Sequence, residues 1–344
     1  MKIKKVCASF LIGAMMLSLA ACSGSTKKIE SPADFEGAKI SVQTATSAHE
    51  SIQDMQDEGM NINVLPYEKV TQCFDDLALG RVDAVYVDSV VAGYYLAEDD
   101  TKYQKTWTSE TGEPIGVCLK KGNDDLKELI EGAIDTLYYD GTMAQLSEKH
   151  FGSAADVDGV RNVTEKPVLD LSKLKTLKDG ILTVGVEVGY PPMEYTDDAG
   201  LEYQGFDIDF SKALGEVLGV DIEFVNTAWD GIFAGLDKEQ YDVIISSVSI
   251  TPERQAAYDL TEPYVSNQLV IVTLKSKSSG KNSLLCFYRQ YVEHFLQPCT
   301  TVLENALIHD TTQIILGFGS QVTLAIKRTL VLCGTDETSL AHPF

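Results

Sequence analysis

Tyr241-Asp242-Val243-Ile244-Ile245-Ser246-Ser247-Val248-Ser249-Ile250-Thr251-Pro252-Glu253-Arg254 is the stretch from which the rest of the chain is read. The β-branched run from Tyr241 to Ile245 predicts a buried strand. It empties into three serines, and Pro252 stands where the first residue of a short helix belongs. Hydroxyls, unpaired N–H groups and a helix N-terminus thus converge, with Arg254 one turn on. Helix ends favour negative charge and a guanidinium grips both oxygens of a carboxylate, so the spot is predicted to receive a carboxylate. A plain strand-to-helix turn with a solvated arginine is the competing reading.

Working outward, 344 residues suffice for two or three domains with real cores. A hydrophobic fraction of 44% and a charged fraction of 23% are those of an ordinary globular protein. The net charge of −23 argues against nucleic acid or an anionic membrane surface as a direct partner. The first 21 residues read as a leader: basic Lys2, Lys4 and Lys5, an apolar stretch from Val6 to Leu17, then Leu19-Ala20-Ala21-Cys22. This resembles a bacterial lipoprotein signal, which implies that Cys22 is acylated (palmitate among its chains) and becomes the anchor of an exported, membrane-attached protein. Residues 22–32 follow as a flexible tether. Cys73 and Cys118 sit in apolar patterns and read as buried thiols rather than a disulfide framework.

Between residues 33 and 115 strands alternate with helices. Ala38 to Val42 reads as a strand ending in the polar loop Gln43-Thr44-Ala45-Thr46-Ser47, and Val82 to Val87 as a strand covered on both faces, with Asp88 at its end. Such βαβ order implies a doubly wound, mostly parallel sheet, whose ligands bind beyond the carboxyl ends of the strands. Asp88 could instead cap the helix that follows. In residues 116–152, Ile115 to Lys120 reads as a strand, and Leu126, Leu129, Ile130, Ala133, Ile134 and Leu137 form the apolar stripe of a helix. A linker, 153–180, precedes a second α/β segment, 181–275. There the strand Ile181 to Val186 delivers Glu187-Val188-Gly189-Tyr190, and Trp229 opens a helix. Residues 276–344 form an atypical tail; its Cys286, Cys299, Cys333, His294 and His309 lack the spacing of a zinc site.

Three blocks carry a resemblance. Gly205-Phe206-Asp207-Ile208-Asp209-Phe210 with Leu214, Gly215 and Leu218 resembles the signature of bacterial family 3 solute-binding proteins, the amino-acid receptors of ABC importers. Ser249-Ile250-Thr251-Pro252-Glu253-Arg254 with Pro263-Tyr264 is similar to a second family block, and Arg81 to Asp88 to a third. The resemblance implies a type II periplasmic-binding-protein-like fold of two α/β lobes around a hinge. It implies that Arg254, Ser249 and Ser247 hold a ligand α-carboxylate, that Asp88 holds the α-ammonium, and that Thr46 and Ser47 close from the other lobe. Tyr190 and Trp229 would sandwich the side chain, and Glu187 and Gln43 would meet its polar end. The partners implied are a free amino acid, polar or cationic, and an ABC transporter permease, with no cofactor, no metal and no catalytic residue. An amino acid taken out of water needs a partner for each of its charges.

The order of segments departs from the family. Residues 33–115 resemble its second lobe, 116–152 the helices returning to the first lobe, and 181–275 the beginning of the first lobe. A circular permutant would use every piece once, and residues 153–178 reach on the order of 80 Å when extended, enough to join the ends. A tandem gene with two truncated copies is the alternative. The tail shows none of the family's order and is expected to be unrelated sequence. An enzyme on the same scaffold, dehydratase-like with Glu187 as acid or base, and a sensor or non-functional fragment are the competing functions.

Overall fold

Ala84–Asp88 is buried at every residue, as its unbroken apolar run demands, and this strand (β3) anchors the first of two five-stranded sheets. The structure, a computed structural model, describes residues 28–197 and 199–275, all within one compact unit. Residues 1–27, with the expected leader and Cys22, residue 198 and residues 276–344 lie outside the described residues. Among the described residues no helix is long and apolar enough to cross a membrane.

The first lobe in chain order contains β1 (Lys39–Gln43), α1 (Ser47–Asp57), β2 (Asn63–Tyr67), α2 (Val70–Ala78), β3, α3 (Ser89–Glu98) and β4 (Tyr103–Gly112). The chain then crosses to β5 (Cys118–Leu119), α4 (Asp124–Tyr139) and α5 (Thr142–Phe151). The second lobe continues with β6 (Ile181–Val186), β7 (Tyr195–Thr196), β8 (Tyr203–Gln204), α6 (Phe206–Leu218) and β9 (Asp221–Asn226). After these come α7 (Trp229–Asp237), β10 (Val243–Ile244), α8 (Pro252–Ala257) and β11 (Asp259–Leu260), before the chain crosses back to β12 (Gln268–Leu274).

The sheets have one topology. One runs β2-β1-β3-β12-β4, the other β11-β5-β10-β6-β9. Read in each lobe's own strand order, both run second, first, third, visitor, fourth, and each visitor (β12, β5) arrives from the opposite lobe. The βα-connected strands pair in parallel, and the visiting strands pair antiparallel to their neighbours. This exchange makes the hinge. The two crossings lie side by side, Glu113 N donating to Asn267 O (2.8 Å) and Ile115 N to Val265 O (2.9 Å).

Two readings need correction here. The segment 181–275 was read as one α/β segment, yet its last strand, β12, leaves for the other sheet, because its buried Leu269, Val270, Ile271 and Val272 fill the gap between β3 and β4. The strand β4 was not foreseen: it is mostly half-exposed, so it lacks an apolar signature, and its partner lies some 160 residues away in sequence. The predicted helix stripe of α4 is buried throughout. The linker is not a loose strap. Val157 is buried, and Arg161 donates to Pro263 O (2.8 Å), Glu262 O (2.6 Å), Glu131 Oε2 (2.7 Å) and Asp135 Oδ1 (2.7 Å). Cys73 and Cys118 are free and buried, and burial pushes both thiols up to about 12.

Candidate functional site

The site forms where the carboxyl ends of the parallel strands of both sheets face each other, as expected of α/β sheets. From the first lobe, Gln43 ends β1, Thr46 and Ser47 open α1, and Asp88 ends β3. From the second, Glu187 follows β6, Tyr190 sits in the next turn, Trp229 begins α7, and Ser247, Ser249 and Arg254 follow β10. All ten line a single cavity, together with Glu194 and Ser246. The cavity holds only about 20 Å³, room for a water or two. The lobes are therefore shut against each other.

Four hydrogen bonds cross the cleft. The Tyr190 hydroxyl donates to Asp88 Oδ2 (2.5 Å), Gln43 Nε2 to Glu187 Oε2 (3.1 Å), Trp229 Nε1 to Ala45 O (2.7 Å) and Lys69 Nζ to Val188 O (2.6 Å). Asp88 does not cap α3, since its side chain makes no capping bond; Asn267 Nδ2 donates to its Oδ1 (2.6 Å), while Asn267 Oδ1 takes the Ser89 N–H (3.0 Å). Burial pushes the Asp88 carboxyl above its ordinary range, against the opposing pull of Tyr190, Asn267 and Arg254.

Arg254 is 8% exposed, its guanidinium set over the rings of Trp229 (5.5 Å) and Phe233 (5.3 Å). Nη1 donates to Ser249 O (3.1 Å), and Nη2 is buried with no partner. The expected contribution of the helix end is not available. Helix α8 is only six residues long, and Thr251 already caps it, its hydroxyl taking the Arg254 N–H (3.3 Å). The charge at this end belongs to the side chain. Thr46 is spent likewise, donating to Gln43 O (2.8 Å) and capping α1, so it lines the cavity without a free donor.

The family-like block at 205–210 acts as scaffold for the serines. Asp207 is fully buried and takes the Ser247 N–H (2.8 Å) and the Tyr264 hydroxyl (2.8 Å), fixing Ser247 at a positive φ of 49°. Ser246 donates to Glu194 Oε1 (2.6 Å) and takes the Glu187 N–H (3.0 Å). Burial and the neighbouring Asp207 raise the Glu194 carboxyl, burial pushes Asp207 up to about 6 against its bonds from Tyr264, Ser247 and Glu194, and burial pushes Glu187 up to about 7, against its bond from Gln43 and the charge of Lys69. Sequence reasoning missed Glu194, and it counted Ser246 among the three converging serines without giving it a ligand role. An acid inside the otherwise apolar Tyr190–Tyr195 run was the available signal for Glu194. Among the described residues no cluster of side chains could hold a metal ion.

Two α/β lobes that exchange a strand across a hinge and close on a charged cleft define a two-lobed binding-protein fold of type II. Residues 182–316 match the family described as bacterial extracellular solute-binding proteins, family 3. The match takes in 135 of the 344 residues. The match runs past residue 275 to 316, beyond the described residues. The L-cystine-binding protein TcyJ of Escherichia coli (strain K12) is 35% identical over 123 residues, 36% of this chain and 46% of that protein. A cyclohexadienyl dehydratase of Pseudomonas aeruginosa is 29% identical over 131 residues, 38% of this chain and 46% of the enzyme. A solved ancestral cationic amino-acid solute-binding protein is 47% identical over 22% of this chain and 33% of its own, with a TM-score of 0.22. The chain spans about half the length of the curated relatives it matches.

Proposed function

We propose that the chain is an exported receptor for a free amino acid with a polar or cationic side chain, held at the cell membrane through Cys22 and delivering its ligand to an ABC importer. The α-carboxylate goes to Arg254, Ser249 and Ser247, and the α-ammonium to Asp88, so the ligand itself bridges the lobes and favours the closed state. The segments work as a single permuted receptor rather than as two truncated copies. The observation that carries this reading is that Asp88 and Arg254, 166 residues apart in sequence, line one cavity in the clamp of a hinge.

Charge points to the ligand class. Asp88, Glu187 and Glu194 line the cavity against a single lining cation, Arg254. Once a zwitterion's charges are matched to Arg254 and Asp88, the Glu187 carboxyl still faces the side chain, and Gln43 Oε1 is a buried acceptor without a partner. Donors or a positive charge on the ligand would satisfy them. The test is a thermal-shift screen of the full chain against the L-amino acids and L-cystine, because a ligand that binds only the folded form raises the melting temperature. A rise with arginine, lysine or another donor-rich side chain is expected; no rise with any of them refutes the reading. Incorporation of labelled palmitate that disappears in C22S tests the anchor.

A dehydratase-like enzyme is the second reading, and the near-neutral Glu187 carboxyl favours it, since a general acid works best near the operating pH. Turnover of cyclohexadienyl substrates by the purified chain, lost in E187Q, would replace the receptor proposal.

A further inference from the structure

Glu113 lies on the crossing between β4 and β5, outside every expected role, yet its side chain reaches the proposed carboxylate site. Its Oε2 takes the Ser47 hydroxyl at 2.6 Å, the Ser249 hydroxyl also donates to it, and the Arg254 charge acts on it. Ser249 and Arg254 are two of the groups proposed above to hold the ligand α-carboxylate, and Ser47 is the residue expected to close over it from the other lobe. The backbone around Glu113 is pinned on both sides: its N–H donates to Asn267 O (2.8 Å), and Pro114 O takes the Ile250 N–H (2.8 Å). Only the side chain is left to swing. Arg254 Nη2, buried without a partner, is a donor that Glu113 leaves unused.

We propose that Glu113 is a tethered carboxylate that stands in the α-carboxylate position of the cleft and is displaced by the incoming amino acid, and that it thereby tunes specificity between an α-amino acid and the amine lacking its carboxyl group. Two anions cannot share the same hydroxyls and guanidinium without repulsion, so the ligand carboxylate competes with Glu113. An amine that brings no carboxylate leaves Glu113 in place, and the chain supplies the missing negative charge. Selectivity is a difference of affinities, and this residue lowers one while supporting the other.

The proposal rests on the receptor reading, and calorimetry of the full chain separates the two. Wild type, E113Q and E113A are titrated with L-arginine, L-lysine and L-cystine and with agmatine, cadaverine and cystamine, which lack the carboxyl groups. E113Q keeps the shape of the side chain and removes its charge; E113A removes the competitor altogether. In both, the Kd for the amino acid that binds wild type is expected to fall roughly tenfold, the scale of one charge-assisted hydrogen bond, while the Kd for its amine rises. Equal or weaker amino-acid binding in both variants overturns the role of Glu113 and leaves the receptor reading intact. If no amino acid binds wild type or either variant, the receptor reading fails and this inference with it.

Discussion

Replacing Glu187 by glutamine tests the electrostatics of the cleft at one atom. In the closed cleft burial holds this carboxyl at about 7, against an ordinary 4.5. At about 1.4 kcal/mol per pH unit, its ionisation costs the folded protein on the order of 3 kcal/mol. A carboxyl raised by folding contributes stability that is fully present below pH 4.5 and is lost as pH rises through 7. Wild type is therefore expected to lose up to about 3 kcal/mol more than E187Q between pH 4.5 and pH 8. Other buried carboxyls titrate in both proteins, so the difference between them isolates Glu187. Urea unfolding of the unliganded proteins at several pH values reads it directly. A cationic side chain beside Glu187 would pull its proton off. Affinity for arginine or lysine should then rise with pH from 5 to 8 in wild type and stay nearly flat in E187Q. Parallel stability curves for the two proteins would refute the reasoning.

R254A and D88A should each weaken amino-acid binding at least about 100-fold in calorimetry while the far-ultraviolet dichroism is unchanged, since each leaves one ligand charge desolvated and unpaired; unchanged affinity in either would exclude the pocket. R161A removes a nearly buried guanidinium that ties the linker to α4 and to the segment before the hinge, and should cost about 2–4 kcal/mol in urea unfolding. K173A, which breaks only exposed ion pairs, should leave the urea midpoint close to that of wild type, and a loss equal to that of R161A would contradict the docked linker. G205A should cost more than about 3 kcal/mol, because the residue sits at φ +128° and a Cβ there would lie 2.2 Å from Met193 O; a loss under about 1 kcal/mol would show that the turn before α6 can relax.

Much of the cleft was legible because it is built from short local signals. Strand ends followed by Gln43, Asp88 and Glu187 can be read from apolar runs that stop at a polar residue, and the serine-rich stretch announces itself before Pro252. What stayed hidden depends on contacts between distant segments. Strand β4 is ordered by its pairing with β12, and neither its half-exposed pattern nor the intervening sequence reveals the partner. Glu194 and Glu113 carry no local sign of their environments: one is buried beside Asp207 and Ser246, the other bends from the hinge towards Ser47. The strand exchange at the hinge is also what a rotated segment order would need, because each sheet already borrows its fourth member from the opposite lobe.

Blocking the two ends of the ligand probes the cleft without altering the protein. The amino acid that binds most tightly in the thermal screen is titrated calorimetrically beside its Nα-acetyl derivative and its carboxamide. Loss of measurable binding for both derivatives is expected, since acetylation takes the charge meant for Asp88 and amidation the charge meant for Arg254. Binding of either derivative with the affinity of the free amino acid would contradict a ligand clasped at both ends.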